Sequence, residues 1–216
     1  MNPGVQANII ALVLFILVLS GWGGRTLRDA NLTPRVTAIG LLLYVLADGF
    51  TLTLRHDLHF DVAGLLLPIA LTAVAMRAGP HAGARASWWI GCLTVASVTV
   101  VLMTLVPLDP AFFPLEGPAL YPVCAALVSV VSVRRPFFAV SMAVMGLALG
   151  TQIDPWLHAR VEVDSYLFGS REMQDWMAFA ALGVLLTHGP YNTTVRIVYT
   201  WIKQRFRRRE EGPERV

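Results

Sequence analysis

Asp48 is the one acidic residue set well inside an apolar stretch of this 216-residue chain. Desolvating a carboxylate is costly, so such a residue is a starting point for proton or cation chemistry. Seven residues on begins a run of chemistry-bearing side chains, Arg55, His56, Asp57, His59 and Asp61. Imidazole nitrogens and carboxylate oxygens suit Zn(II) or a similar ion, and Asp154, His158, Glu162 and Asp164 supply the same types on a later connection. Asp48, Arg55, His56, His59 and Asp61 therefore form the candidate ion or proton site. A plainer reading stands beside it. Within two helical turns of Arg55, Asp48 can pair with that arginine near interfacial water, and the His/Asp run can be an acidic outer loop. Its spacing matches no established metal motif, HExxH included, so metal binding stays open.

Other chemistry finds little footing. The apolar segments contain Ser, Thr and Cys without a GxSxG, a Walker loop or a paired Asp-Asp motif, which argues against a hydrolase, protease or ATPase. Nothing in the pattern asks for a cofactor. Cys92 and Cys124 lie in apolar runs outside any CxxC or Cys/His arrangement and read as small buried hydrophobes. Trp88, Trp89, Trp156, Trp176, Tyr44, Tyr121 and Tyr191 fall mainly near segment ends, where amphipathic rings favour the headgroup level of a bilayer. Gly146 and Gly150 form a GxxxG, a packing face for a neighbouring helix.

The elements that must position these residues are helices in lipid. The chain is 56% hydrophobic and 14% charged, with a mean hydropathy of +0.60; soluble domains carry about 25% charged residues. Seven apolar segments stand between charged or Pro/Gly-rich punctuation, at 6–22, 36–54, 61–76, 87–108, 119–133, 136–153 and 174–189. At about 20 residues per crossing they fill the chain, leaving no room for a soluble catalytic domain. The expectation is an all-α bundle of about seven spans over 1–190. The third segment, with Pro68 at its middle, would also suit a re-entrant helix. The N-terminal stretch lacks a clear small-x-small cleavage site, so a cleaved signal peptide is not expected.

Positive charge sets the orientation. With the N-terminus outside, fourteen Lys and Arg fall on the cytoplasmic side and only Arg55, Arg160 and Arg171 outside. The expected place is the cell membrane. Seven of the seventeen basic residues lie beyond residue 195, beside a hydrophobic segment, which points to a membrane surface rather than nucleic acid. After Gly189-Pro190, Asn192, Thr193 or Thr194 can cap a new helix in which Val195, Val198, Ile202 and Phe206 recur at helical spacing. Residues 191–216 are thus expected to form a cytoplasmic amphipathic helix and tail. Arg205, Arg207, Arg208 and Arg209 are its contact with anionic lipid.

Over Asp61-Val-Ala-Gly-Leu-Leu-Leu-Pro-Ile-Ala-Leu-Thr72, a short Gly/Pro-containing helix entered from an acidic loop, the chain resembles the uncharacterised YphA-type multi-pass membrane proteins of spore-forming Gram-positive bacteria. The resemblance implies a bacterial membrane and a link to sporulation, and it names no catalytic residue. The expected function is a non-enzymatic envelope protein acting through lipid or other membrane proteins. The alternative is a small transporter or ion-conducting protein using Asp48 and the outer His/Asp cluster.

Overall fold

The computed structural model describes residues 3–55, 58–79, 82–108, 117–157 and 166–210. Helices dominate: α1 (Val5–Leu19), α2 (Gly24–Asp29), α3 (Pro34–Ala47), α4 (Val62–Ala78), α5 (Ala82–Leu105), α6 (Gly117–Ser132), α7 (Pro136–Leu157) and α8 (Arg171–Glu210). Two stretches, Gly83–Leu105 and Pro136–Ile153, are long and apolar enough to cross a membrane; Val5–Leu19, Pro34–Ala47, Val62–Ala78 and Ala119–Ser132 are apolar but shorter.

The chain is all-helical in architecture, as expected, with one small addition. A three-stranded sheet, β1 (Thr51–Arg55), β2 (Leu58–Asp61) and β3 (Tyr166–Phe168), sits where sequence reading placed a helix end and polar loops. The segment expected to remain helical to residue 54 stops at Ala47. Asp48 turns to extended backbone and Gly49 takes a left-handed φ of 86°, a conformation that suits glycine. Thr51-Leu52-Thr53-Leu54 then alternates polar and apolar with the period of a strand. β1 and β2 pair antiparallel and β2 and β3 pair parallel. The rings of Phe60 and Phe168 stack across the second pair, 5.0 Å apart.

The main core lies around α5, α6, α7 and α8, with Met142, Leu147, Met177 and Val184 fully buried. The GxxxG of α7 works as a packing face. A side chain at Gly146 would meet Val95 and one at Gly150 would meet Thr99, while Gly91 of α5 lies against Met142. Contacts four residues apart on both helices advance together, so α5 and α7 run parallel. Thr99 and Thr151 return their hydroxyls to carbonyls of their own helices, leaving the seam free of unmatched donors.

Several ring-bearing residues expected at headgroup level are instead inside. Trp88 is 2% exposed and donates Nε1–H to Ser141 Oγ at 3.0 Å. Tyr44 and Tyr121 are also buried, and Tyr121 packs edge-on against Trp176. A ring whose polar atom finds an internal partner no longer needs interfacial water. Trp89 and Tyr191 are exposed, and the Trp156 side chain lies outside the described residues.

α8 also departs from expectation, because its backbone stays helical through Pro190 to Glu210. A proline removes one backbone bond and the flanking turns can continue when their own bonds hold. No new helix therefore begins at Asn192, Thr193 or Thr194. Arg205, Arg207, Arg208 and Arg209 lie along the last turns of this helix, with side chains outside the described residues.

Candidate functional site

Asp48 lies at the C-terminus of α3, where the start of α1, the start of α8 and the entry to α4 also meet. Its Oδ2 accepts a 2.6 Å hydrogen bond from Asn8 Nδ2. Its Oδ1 lies 3.8 Å from Arg171 Nε. Among the described residues its cationic partner is Arg171, 123 positions further along the chain than Asp48, while the expected pairing with Arg55 falls on a side chain outside them. The helical proximity that would have joined Asp48 to Arg55 vanishes once α3 ends at Ala47 and β1 carries the chain away. The Arg55 side chain lies outside the described residues, as do His56 and Asp57.

Asp61 is 2% exposed and caps α4, its Oδ1 accepting from the Gly64 amide at 3.2 Å. His59 stands on β2 opposite Thr53. Asp61 is thus occupied as a helix cap. Among the described residues, no group of three or more His, Cys, Asp or Glu side chains is placed to hold a metal ion. His158, Glu162 and Asp164 lie outside them.

Three residues of this end escaped sequence reading. Asp175 is buried in the first turns of α8, and its carboxylate takes the Gly4 amide at 2.8 Å and the Ala7 amide at 2.7 Å. α1 has no side-chain cap of its own, so Asp175 supplies one from 168 residues away. A carboxylate is favoured there because helix amides and the helix dipole converge on it. Gln174, fully buried, donates to the Gly169 carbonyl at 3.1 Å and accepts from the Tyr44 hydroxyl at 3.3 Å. Arg171 lays its aliphatic stem over Gly4, while its charged end stays half exposed.

This arrangement ties helix ends together. Each carboxylate accepts hydrogen bonds or faces a cation, and no nucleophile and base are brought into hydrogen-bond reach among the described residues of this end. Between the α1–α3 pair and α4, α7 and α8 lies a half-open groove, a cavity of about 180 Å³ whose walls are almost wholly apolar. Tyr44 forms part of the wall nearest the polar network. Comparison with protein-family models, with curated proteins and with solved structures finds no match.

Proposed function

We propose that this chain is a non-enzymatic integral membrane protein of the bacterial envelope, crossing the cell membrane seven times and acting through contacts with lipid or other membrane proteins. The observation that carries the reading is the chemistry of the outward faces. Ile9, Leu12 and Ile16 on α1, Ile39, Leu43 and Leu46 on α3, and Ile69 on α4 are all exposed. So are Ile90, Leu93 and Val101 on α5 and Leu127 and Val131 on α6. Apolar surface on this scale is stable against hydrocarbon and a liability in water. The YphA-type resemblance adds a sporulation-linked setting. The basic end of α8 lies on anionic lipid at the cytoplasmic face in this reading.

Labelling tests the topology. On a background with Cys92 and Cys124 replaced by Ala, single cysteines at Asp57, Phe113 and Asp164 should react with an impermeant maleimide in intact cells. Those at Arg28, Ala82 and Arg208 should react only after lysis. Reaction at position 208 from outside would sink the combination of an outer N-terminus with seven spans.

One observation favours transport instead: Oδ1 of Asp48 and Oδ1 of Asn8 are buried without a hydrogen-bond partner. Against it stands the apolar character of the groove between α1, α3 and α7, which offers an ion almost no ligands. Replacing Asp48 by Asn keeps an acceptor for Asn8 Nδ2 and removes the charge that faces a half-exposed arginine. At 3.8 Å, and with its arginine half exposed, the pair is worth only about 0–1 kcal/mol. Asp48→Asn should therefore support wild-type expression, stability and cellular phenotype. A null phenotype at normal abundance, with Arg171→Gln tolerated, would turn the assignment toward a proton or cation carrier.

A further inference from the structure

We infer that the aliphatic cavity holds one acyl chain of an anionic phospholipid drawn from the surrounding bilayer. The inference rests on the membrane reading above. The cavity is walled by Ala7 and Ala11 of α1, Leu41 of α3, Leu71 of α4, Val144 of α7 and Ala181 of α8. At one end it reaches Tyr44, and at the other Trp22, Gly23, Thr26 and Leu27. Along α1 and the turn that follows, residues 7 to 22 cover roughly 22 Å at helical rise. That is more than the ~15 Å depth of one leaflet's hydrocarbon. The groove walls offer water almost no polar partner, and apolar sites of this kind take up apolar ligands.

Charge at the far end selects the head. α2 and the first turn of α3, which build that end, expose Arg28 and Arg35, with Asp29 between them. Arg135, also exposed, begins the segment that brings Phe137 and Val140 to the cavity wall. Arg28, an exposed residue, spends one donor, Nε, on the Gly24 carbonyl at 3.1 Å. Arginines at the rim of an apolar slot match a phosphate joined to an acyl chain. Trp22, 43% exposed at the same end, suits the headgroup level.

The test uses full-length protein in a neutral detergent, titrated with dioleoylphosphatidylglycerol or dioleoylphosphatidylcholine, with native mass spectrometry counting bound lipid. One phosphatidylglycerol per chain should bind saturably, about thirtyfold more tightly than phosphatidylcholine, the factor two rim arginines supply. Ala181→Phe, which fills the cavity, should abolish the saturable site for both lipids. Arg28→Gln with Arg35→Gln should erase the preference while leaving one acyl chain bound. Should Ala181→Phe fail to fold, the arginine pair decides alone, since both side chains are exposed. Equal binding of the two lipids by wild type, full preference in the arginine variant, or unchanged binding by a folded Ala181→Phe protein would each overturn the inference. Recovery of the wild-type chain in the soluble fraction would instead overturn the membrane reading itself.

Discussion

Gly64→Ala should cost the folded protein about 3 kcal/mol, near the upper end for overpacking a filled interior. The first turn of α4 crosses the chain at Gly169 so closely that a Cβ on Gly64 would run into the carbonyl oxygen, Cα and carbonyl carbon of Gly169. Both sides of the contact are backbone, so no side chain can rotate away. Gly169 cannot yield by changing residue either, because it holds a left-handed φ of 79°. The consequence reaches the polar end directly. Gly169 gives its carbonyl to Gln174, and Gln174 accepts from Tyr44. Thermal unfolding in detergent measures the loss, with Gly40→Ala as control. Gly40 is helical with open space around it, so alanine there should be neutral or stabilising by up to about 1 kcal/mol. Equal melting of Gly64→Ala and wild type would show that the two backbones do not meet as described.

Asp175→Ala should be of similar size and differ in location. The substitution strands two buried amides, Gly4 and Ala7, that have acceptors only in this carboxylate. At about 1–3 kcal/mol for each orphaned donor, the expected loss is roughly 2–6 kcal/mol. Asp175→Asn retains one acceptor oxygen and should lose about half as much. Hydrogen exchange read by mass spectrometry separates this from general destabilisation. Protection should fall first in the opening turns of α1, while α5 and α7, joined along their glycine seam, exchange at the wild-type rate in native conditions. Unchanged protection at residues 4–8 in the alanine variant would remove Asp175 from its capping role.

The contrast between these two sites and the rest of the fold shows what a linear chain reveals. α5 and α7 were readable because hydropathy is a local property, and the Gly146/Gly150 spacing already carried the face on which they meet. The start of α4 was readable in the same way, Asp61 standing three residues before the Gly64 amide it accepts. The strand at Thr51–Arg55 had a signal in its Thr-Leu alternation, masked by its attachment to a long apolar run. α2 was missed because six residues, Gly-Arg-Thr-Leu-Arg-Asp, are too few to establish a period. Asp175 and Arg171 had no local signal. Each sits in the opening turns of a helix where acidic and basic residues are ordinary, and their partners, Ala7 and Asp48, stand 168 and 123 positions away. The candidate site was thus half legible: Asp48 and Asp61 drew attention by their positions, while what they touch is set by the way distant helices return to one end.

The fastening of α1 by Asp175 also has a meaning for connectivity. It joins two helices whose bonded residues stand 168 positions apart, so the polar end works as a clasp between distant parts of the chain. α8 lays Ala178, Ala181 and Leu185 along the same apolar groove that α1 and α3 wall from the other side. The residue that fastens α1 thus belongs to the helix that completes the groove.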